Sequence, residues 1–431
     1  MVLVYAHNTS ARLSYICSFI FKELMGVDIA ITTHITSFKN HTGIKINYSS
    51  RRIVDDEIFI RSTNLLFEKD IREQQIECFE IKSYKAFFQI SESDWSFDIF
   101  AAAFYLLSRY EEYLPHSKDE YGRYGHKNSI AFKEDFLHLP LINIWVKDFA
   151  DAIQKKYPIF NIQYSTFKFV PTYDIDIAYS YKHKGFSRNI GGFLRSPSFT
   201  RLLVLLRLRK DPFDTFDKLD ALHQQYNLQP IYFFLLAQKN GVYDKNILPH
   251  TKAMQKLVKN IASKYIAGIH PSWQSGDDIS LLKEEVGKFN ALIQTTDNVS
   301  TRSRQHYIRF NLPEGYTRLI DVGITDDHSM GYGSINGFRA STATPFYWFD
   351  LSTNKRTDLR IHPFCYMEAN SFYEQKLTPV QALEELKHYY SICKNVNGTF
   401  ITVFHNHMIG RDKLFTGWGE MYEQFLQQMK E

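Results

Sequence analysis

The sequence predicts an α/β protein in which residues 165–431 form a mostly parallel sheet or barrel, preceded by a smaller α/β domain over residues 1–160. Two observations predict this class. Short apolar runs alternate with stretches of helical periodicity, and several charged motifs directly follow the apolar runs. Strand–helix alternation of this kind is typical of parallel sheets, whose functional residues collect at the carboxyl ends of the strands.

The composition fits a globular protein. With 431 residues, 44% of them apolar and 23% charged, the chain is long enough for two or three domains. The net charge of +4 predicts no nucleic-acid partner, and nothing predicts a protein partner. The aromatic content of 16% is high and fits either a thick core or a sugar-stacking surface.

The chain carries no pattern for export or membrane insertion. Its N-terminal apolar stretch is interrupted by charges, which argues against a signal peptide, and no apolar run reaches the ~18 residues that span a bilayer. The four cysteines have no paired spacing, which argues against a disulfide scaffold or a zinc knuckle: Cys17, Cys78, Cys365 and Cys393. We therefore expect a cytoplasmic protein.

The first part opens with a strand, a helix and a second strand, and continues with short strands and two helices. The apolar run VLVYA (2–6) predicts the first strand, and the helical spacing of Leu13, Ile16 and Ile20 predicts a helix over 10–25. The remaining predicted elements are a strand in VDIAITT, short strands with turns over 44–90, a helix in WSFDIFAAAFYLLSRYEEYL and a helix over 140–156.

The second part alternates more regularly. Strands are predicted in FKFVPTYD, PIYFFLLA and YIAGIH, and near 306–310, 318–324, 345–350 and 399–405. Helices are predicted in FDTFDKLDALHQQY, over 250–265 and over 379–393. Thr378, Pro379 and Gln381 supply an N-cap, a first-turn proline and a capping-box partner for the last helix.

The first motif that carries chemistry is the segment from Thr172 to Asp176, directly after an apolar strand. Asp174 and Asp176 are two residues apart on an extended chain, so both carboxylates point to one side, ~6.5–7 Å apart. Such crowding costs energy unless a cation lies between the carboxylates or one of them stays protonated. Solvated turns also contain this pattern, so the motif alone does not decide between a site and a turn.

Further motifs lie where other predicted strands end or begin. They comprise His270 in GIHPSW, Arg304 and His306 in SRQHYIRF, a charged run ending in His328 before a glycine-rich segment, and His405 in VFHNH. Each alone could be a solvated loop or a buried histidine. Together they gather acids, imidazoles and an arginine at one rim, which is the layout of a metal-assisted hydrolase.

These motifs resemble those of the polysaccharide deacetylases (carbohydrate esterase family 4), in the same order and over about 260 residues. TYDID resembles the first family motif, KLDALHQQYNLQPIYFFLLA the helix and strand that follow it, GIHPS the second motif and VFH the last. The sequence is particularly similar to a divergent branch in which an N-terminal domain of unassigned role precedes the deacetylase-like part. The resemblance implies a distorted (β/α) barrel of polysaccharide-deacetylase type.

The resemblance also implies catalytic roles. Asp174 would be the general base that takes a proton from the attacking water, and His405 the general acid that protonates the leaving amine. Arg304 resembles the arginine that holds the base, and Arg339 is its rival for that role.

A divalent metal, zinc in this family, would be held by Asp176 and His270. The motif departs from the family in one respect, because Ile175 separates two carboxylates that are usually adjacent.

A second departure concerns the third metal ligand. The family's second motif supplies another histidine four residues further on, and here that position is Gln274. His306 is our candidate replacement because it precedes a predicted strand, while His328 and His407 remain alternatives. Because of this departure, the chain could also be a variant that has lost the metal.

The basic stretch RSPSFTRLLVLLRLRK, residues 195–210, has two interpretations. As a helix it places Leu202, Leu205 and Leu206 near one face, surrounded by arginines. It is either a cover helix beside the barrel or a peripheral membrane contact that brings a lipid-linked sugar within reach. The whole segment 183–211 is expected near the mouth of the site, because it directly follows Asp176.

The expected reaction is hydrolysis of an N-acetyl or related acyl group from an amino sugar or saccharide precursor, so the substrate is a carbohydrate and the enzyme a carbohydrate deacetylase. The alternative is a catalytically inactive deacetylase-like barrel that binds carbohydrate or acts as a scaffold. A glycosidase using Asp174 and Asp176 fits less well, because two carboxylates on one strand cannot flank a scissile bond from opposite sides.

Overall fold

The structure is a computed structural model that describes residues 1–195, 197–293 and 300–429. Its described strands form a four-stranded sheet, a nine-stranded sheet and a two-stranded hairpin. The strands are β1 (Val2–Tyr5), β2 (Ile29–Thr32), β3 (Ile44–Ser49), β4 (Ile58–Arg61), β5 (Phe79–Ile81), β6 (Tyr84–Ala86), β7 (Lys168–Ile175), β8 (Ile231–Leu235), β9 (Ile266–His270), β10 (Arg302–Ser303), β11 (Asp326–Asp327), β12 (Phe346–Asp350), β13 (Lys355–Ile361), β14 (Tyr366–Met367) and β15 (Thr399–His405).

Helices connect most of these strands. They are α1 (Ala11–Ser18), α2 (Ile35–Lys39), α3 (Ile99–Leu107), α4 (Ile130–Lys133), α5 (Leu141–Lys156), α6 (Phe186–Arg195), α7 (Phe199–Leu205), α8 (Phe216–Tyr226), α9 (Lys252–Ala262), α10 (Ile279–Ile293), α11 (Glu314–Asp321), α12 (Pro379–Asn395) and α13 (Trp418–Gln428). The predicted α/β class with parallel strands is confirmed. Along the part of the chain that the structure describes, no helix is long and apolar enough to cross a membrane.

The four-stranded sheet has the order β2-β1-β3-β4, and all its neighbouring strands are parallel. Its two central strands, β1 and β3, are buried along their whole length, which agrees with a parallel sheet covered on both faces. Against it lies α3, whose nine residues are all buried. A π-helical turn, Phe19–Leu24, continues α1 to the end of the helix predicted over 10–25, and Gly26 follows it with φ +64°.

The nine-stranded sheet has the order β12-β13-β11-β10-β9-β8-β7-β15-β14. All neighbours are parallel except β12 and β13, which form an antiparallel pair. Among the described strands no pairing joins β12 to β14, so the closed barrel stays a prediction. The long strand β7 lies between β8 and β15, so the end of the first motif lies between the carboxyl ends of these two strands.

Two predicted strands are wrong. Residues 306–310 contain a 3-10 turn, His306–Ile308, in which Tyr307 and Ile308 have φ +60° and +54°. Residues 318–324 lie mostly in α11, whose buried residues Tyr316 and Leu319 are three apart, as helical packing requires. Short apolar runs such as RLIDVGI fit both patterns, and here Gly323 at φ +83° ends the helix.

The two parts of the chain share contacts and one hydrophobic core cluster. The hydroxyl of Tyr15 donates to the carbonyl of Tyr347 at 2.6 Å, and the rings of Phe104 and Phe349 pack with centroids 5.2 Å apart. The boundary between residues 1–160 and 165–431 therefore stays a prediction.

Candidate active site

The predicted acids and imidazoles lie at the carboxyl ends of three strands. His405 ends β15 and is in register with Asp174 of β7. His270 ends β9, and Asp176 follows β7 directly. Because β7, β8, β9 and β15 are parallel, these ends lie on the same edge of the sheet.

Three imidazoles surround the Asp176 carboxylate. Its Oδ1 lies 3.1 Å from Nε2 of His270, and its Oδ2 lies 3.6 Å from Nε2 of His306 and 3.4 Å from Nε2 of His405. Asp176, His270 and His306 offer ligand atoms that all lie within 4.8 Å of one another, so this group could hold a metal ion.

The third ligand position is reached from a neighbouring strand. Ser303 of β10 pairs with Ile269 of β9, and the turn that follows β10 brings His306 beside His270, with ring centroids 4.9 Å apart. Gln274, at the position where the second family histidine was expected, is exposed and does not line the cavity of the site. His328 and His407, the alternatives for the third ligand, do not belong to the metal-ligand group found among the described residues. His328 is stacked on His362, and His407 lines the cavity.

A buried arginine holds Asp174. Nη1 of Arg304 donates to Oδ1 of Asp174 at 2.8 Å and to the hydroxyl of Thr172 at 2.7 Å. Nε of Arg304 donates to the carbonyl of His328, and the guanidinium lies 4.5 Å from the Phe233 ring centroid. Arg339, the alternative to Arg304 for this role, pairs with Glu112 instead.

The orientation of each imidazole is fixed by a second contact. Nδ1 of His306 lies 2.9 Å from Asp244, and Nδ1 of His270 contacts the carbonyl of Arg304. Such contacts at Nδ1 leave Nε2 free to face a metal. Sequence reasoning missed Asp244, because it lies in a polar loop after β8 without any strand pattern.

His405 has a buried carboxylate partner that the sequence analysis also missed. Glu368 is 1% exposed, and its Oε1 lies 2.9 Å from Nδ1 of His405 and accepts the backbone N–H of His405. Glu368 directly follows the short strand β14, which pairs with β15. An acid after an apolar run was the available signal, but β14 has only two residues and was not recognised.

The electrostatics of the site favour a cation. Burial raises the pKa of Asp176, but the imidazoles of His306 and His405 outweigh it, and the pKa lies well below its usual value. Burial lowers the pKa of His306, but Asp176 and Asp244 raise it to about 9. For His405, Glu368 and Asp176 outweigh burial and raise the pKa to about 10. The carboxylates thus favour the protonated form of these imidazoles. A bound metal ion would supply positive charge at the same position.

The donor atoms also fit a metal. Oδ1 of Asp176 is buried and makes no hydrogen bond, although Nε2 of His270 lies 3.1 Å from it. Two imidazole nitrogens and a carboxylate oxygen are a donor set that zinc accepts. The residues therefore fit the metal that the family resemblance implies.

These groups line a cavity of about 450 Å³. Its wall carries the aromatic side chains of Tyr243, Tyr307 and Tyr121, and the ring centroids of Tyr307 and Tyr121 lie 5.4 Å apart. Trp273 stacks on Tyr243 with ring centroids 3.9 Å apart. Tyr121 comes from the first part of the chain, where Arg123 donates to the carbonyl of Tyr307 at 2.7 Å. The first part therefore contributes directly to the cavity wall.

Comparisons with known proteins give a partial match. A family model described as a family of unknown function, DUF7033, matches residues 2–158, less than half of the chain. Among solved structures, a provisionally assigned polysaccharide deacetylase from Mycobacterium smegmatis is similar with a TM-score of 0.40 and 13% sequence identity. That similarity covers 62% of this chain and 84% of the other. No curated protein matched the chain.

Proposed function

We propose that the chain is a metal-dependent carbohydrate deacetylase that removes an N-acetyl or related acyl group from an amino sugar or saccharide precursor. One observation carries the proposal. The cavity combines the Asp176, His270 and His306 group with an arginine-held carboxylate, Asp174, and a carboxylate-held imidazole, His405. Amide hydrolysis needs these three functions: a cation, a base and an acid.

Asp176, His270 and His306 would hold the metal. When bound, zinc or another divalent ion acts as a Lewis acid on the acyl carbonyl. Asp244 and the Arg304 carbonyl keep the two imidazoles turned toward the ion.

Asp174 is proposed as the general base. Its Oδ1 is occupied by Arg304, while its Oδ2 lies 3.8 Å from Nε2 of His270 and so faces the metal ligands. A water attacking the acyl carbon loses its proton to this oxygen. Arg304 holds this carboxylate in place.

His405 is proposed as the general acid. Its Nε2 faces the cavity, and Glu368 holds Nδ1, so the imidazolium form is favoured before reaction. The proton on Nε2 passes to the departing nitrogen, which leaves as an amine. The proton balance closes, since Asp174 gains one proton and His405 loses one.

A saccharide suits the rim of the cavity. Tyr243, Tyr307 and Tyr121 line the cavity and offer rings on which the apolar face of a sugar can lie. We accordingly propose that residues 165–431 are the deacetylase-like unit with a distorted barrel, and that residues 1–160 complete its substrate site.

The test is metal content together with acetate release. The purified wild type is expected to hold about one divalent ion per chain, and His270→Ala and His306→Ala are expected to lose it. Gln274→Ala is the matched control and keeps the metal, because Gln274 is exposed outside the cavity. Acetate release is measured on a panel of N-acetylated amino sugars, sugar nucleotides and oligosaccharides. A wild type that holds no metal and releases no acetate would favour the alternative, a carbohydrate-binding or scaffolding barrel.

A further inference from the structure

The helices that follow Asp176 expose an unusual amount of apolar surface. Eight large apolar side chains between residues 190 and 208 are exposed, and Leu194, Phe199 and Leu208 are 76%, 73% and 72% exposed. We call the exposed side chains of residues 188–195 and 197–210 the α6–α7 surface; Ser196, within the predicted stretch 195–210, lies outside the described residues. So many exposed apolar side chains along one stretch of the chain indicate a contact with a partner or a membrane.

The first of the two interpretations of residues 195–210, a cover helix beside the barrel, does not fit the exposure of its leucines. Leu202, Leu205 and Leu206, the predicted apolar face, are 46%, 45% and 58% exposed, and Val204 is the buried residue of α7. These leucines therefore do not cover the core of the described chain.

The charge of this surface has one sign. Residues 182–210 contain eight lysines and arginines and no aspartate or glutamate. Among the described residues, the ion pairs of this segment involve Lys182 with Asp214 and Lys210 with Asp217. The other lysines and arginines of this segment form no ion pair with an acidic residue among the described residues, so they are available to bind an anion outside the chain.

We propose that the α6–α7 surface docks on an anionic phospholipid membrane. Apolar side chains ringed by arginines match both layers of such a surface, because the leucines enter the acyl boundary while the arginines meet lipid phosphates. A nucleic acid would use the cations but leave the leucines in water. A second copy of this surface would repel it, since both carry the same charge.

The surface lies beside the candidate active site. Nη1 of Arg188 donates to the carbonyl of Asn246 at 3.3 Å, and the Asn246 side chain donates to the carbonyl of Ile175, between the two motif aspartates. Val242, in the same loop as Asn246, lines the cavity and is 77% exposed. Docking therefore sets the cavity mouth near the lipid. Resting on the proposed function, this placement predicts a lipid-linked, acylated amino sugar as the substrate.

The test is sedimentation of the full chain with vesicles of phosphatidylcholine alone and of an equal mixture with phosphatidylglycerol. We expect binding to the mixed vesicles that weakens as salt is raised. Arg207→Gln with Arg209→Gln should weaken binding ~25-fold, about fivefold per charge. Phe199→Ser with Leu206→Ser should weaken it at least ~10-fold. The matched control, Val380→Ser with Leu414→Ser, changes two exposed apolar residues elsewhere and should bind as wild type.

Two outcomes overturn the docking proposal. One is that the wild type does not bind the mixed vesicles, or that both double variants bind them as strongly as the wild type does. The other is a wild-type dimer that Phe199→Ser with Leu206→Ser converts to a monomer without any vesicle binding, which would make the surface a self-association face. Thermal unfolding of each variant checks that it is folded.

Activity separates the docking from the proposed function. Phe199→Ser with Leu206→Ser should keep acetate release from a water-soluble acetylated amino sugar and lose it from a lipid-linked one in mixed vesicles. Equal loss on both substrates contradicts the lipid-linked substrate. If wild type binds vesicles but cleaves neither substrate, the docking stands and the proposed function fails.

Discussion

Asp174 and Asp176 are chemically alike, but their neighbours differ. Asp174 has an arginine on one oxygen, whereas Asp176 is surrounded by imidazoles. Ile175 between them is fully buried on the other side of the strand. The intervening residue therefore lets both carboxylates face the cavity, as an extended chain requires.

The first residue-scale prediction concerns Asp174→Asn. The amide keeps the shape of the side chain but cannot accept a proton from water, so kcat should fall ~10²–10⁴-fold. Metal content should stay at the wild-type level, because the proposed ligands are untouched. The test is to measure kcat and metal content on the same preparation. If the wild type is active and the variant is equally active, the general base is another residue.

The second concerns Glu368→Gln. Without the buried carboxylate, His405 loses the group that orients it and favours its protonated form, so kcat should fall roughly 10²-fold. KM and metal content should change little, since Glu368 acts as a positioning residue through His405. Glu368→Asp should recover part of the rate. A large rise in KM, or loss of metal, would instead indicate that Glu368 only supports the fold.

The sequence predicts the candidate-site residues that end long strands, and it also predicts Arg304 and His306, which follow the two-residue strand β10. Asp174, Asp176, His270 and His405 all follow recognisable apolar runs. Asp244 lies in a loop without a strand pattern, and the apolar run before Glu368 forms a strand of only two residues, so neither acid was recognised as the end of a strand. Their positions depend on long-range pairing, which one sequence does not reveal.

At the scale of elements, capped and periodic helices were the easiest to predict. The helix predicted over 379–393 is α12, and its capping box is present as predicted between Thr378 and Gln381. The wrong elements near 306–310 and 318–324 are short. There, turn geometry and a glycine stop outweigh strand propensity, because few residues contribute to the propensity.

Thr378→Ala should lower the free energy of unfolding by about 1 kcal/mol, because the first turn of α12 loses its side-chain cap. Urea denaturation at neutral pH measures the change as a lower midpoint with an unchanged slope. The control is Val380→Ala, two residues on and 73% exposed, for which we expect a change near zero. Equal effects at both positions would mean that the cap contributes nothing specific.

At the scale of the whole molecule, a buried ion cluster joins the two parts of the chain. Glu112 lies between Arg109, at 2.7 Å, and Arg339, at 2.6 Å, and all three are buried. Burial raises the pKa of Glu112, but the two guanidinium groups outweigh it and lower the pKa to about 2. A carboxylate with a depressed pKa contributes stability above its unfolded pKa of 4.5, and that stability is lost as pH falls toward 2.

Glu112→Gln should therefore cost ~3–5 kcal/mol of unfolding free energy at neutral pH, because two buried arginines lose their counter-charge. The difference from wild type should shrink as pH is lowered from about 4.5 toward 2, where the wild-type carboxylate also becomes neutral. Chemical denaturation across this range measures it. Glu92→Gln removes an exposed partner of Arg61 and serves as the control with little change at any pH. A difference that is constant with pH would show that the charge of Glu112 is not what matters.

The move of the third proposed ligand to His306 has a consequence for how such chains are recognised. Because β10 runs beside β9, a histidine 36 positions after His270 brings its nitrogen to within reach of the same carboxylate. Two residues that are far apart along the chain can thus lie side by side in space. A motif search that demands two histidines in one turn would class this chain as metal-free. A search that also reads the turn after the adjacent strand would retain it.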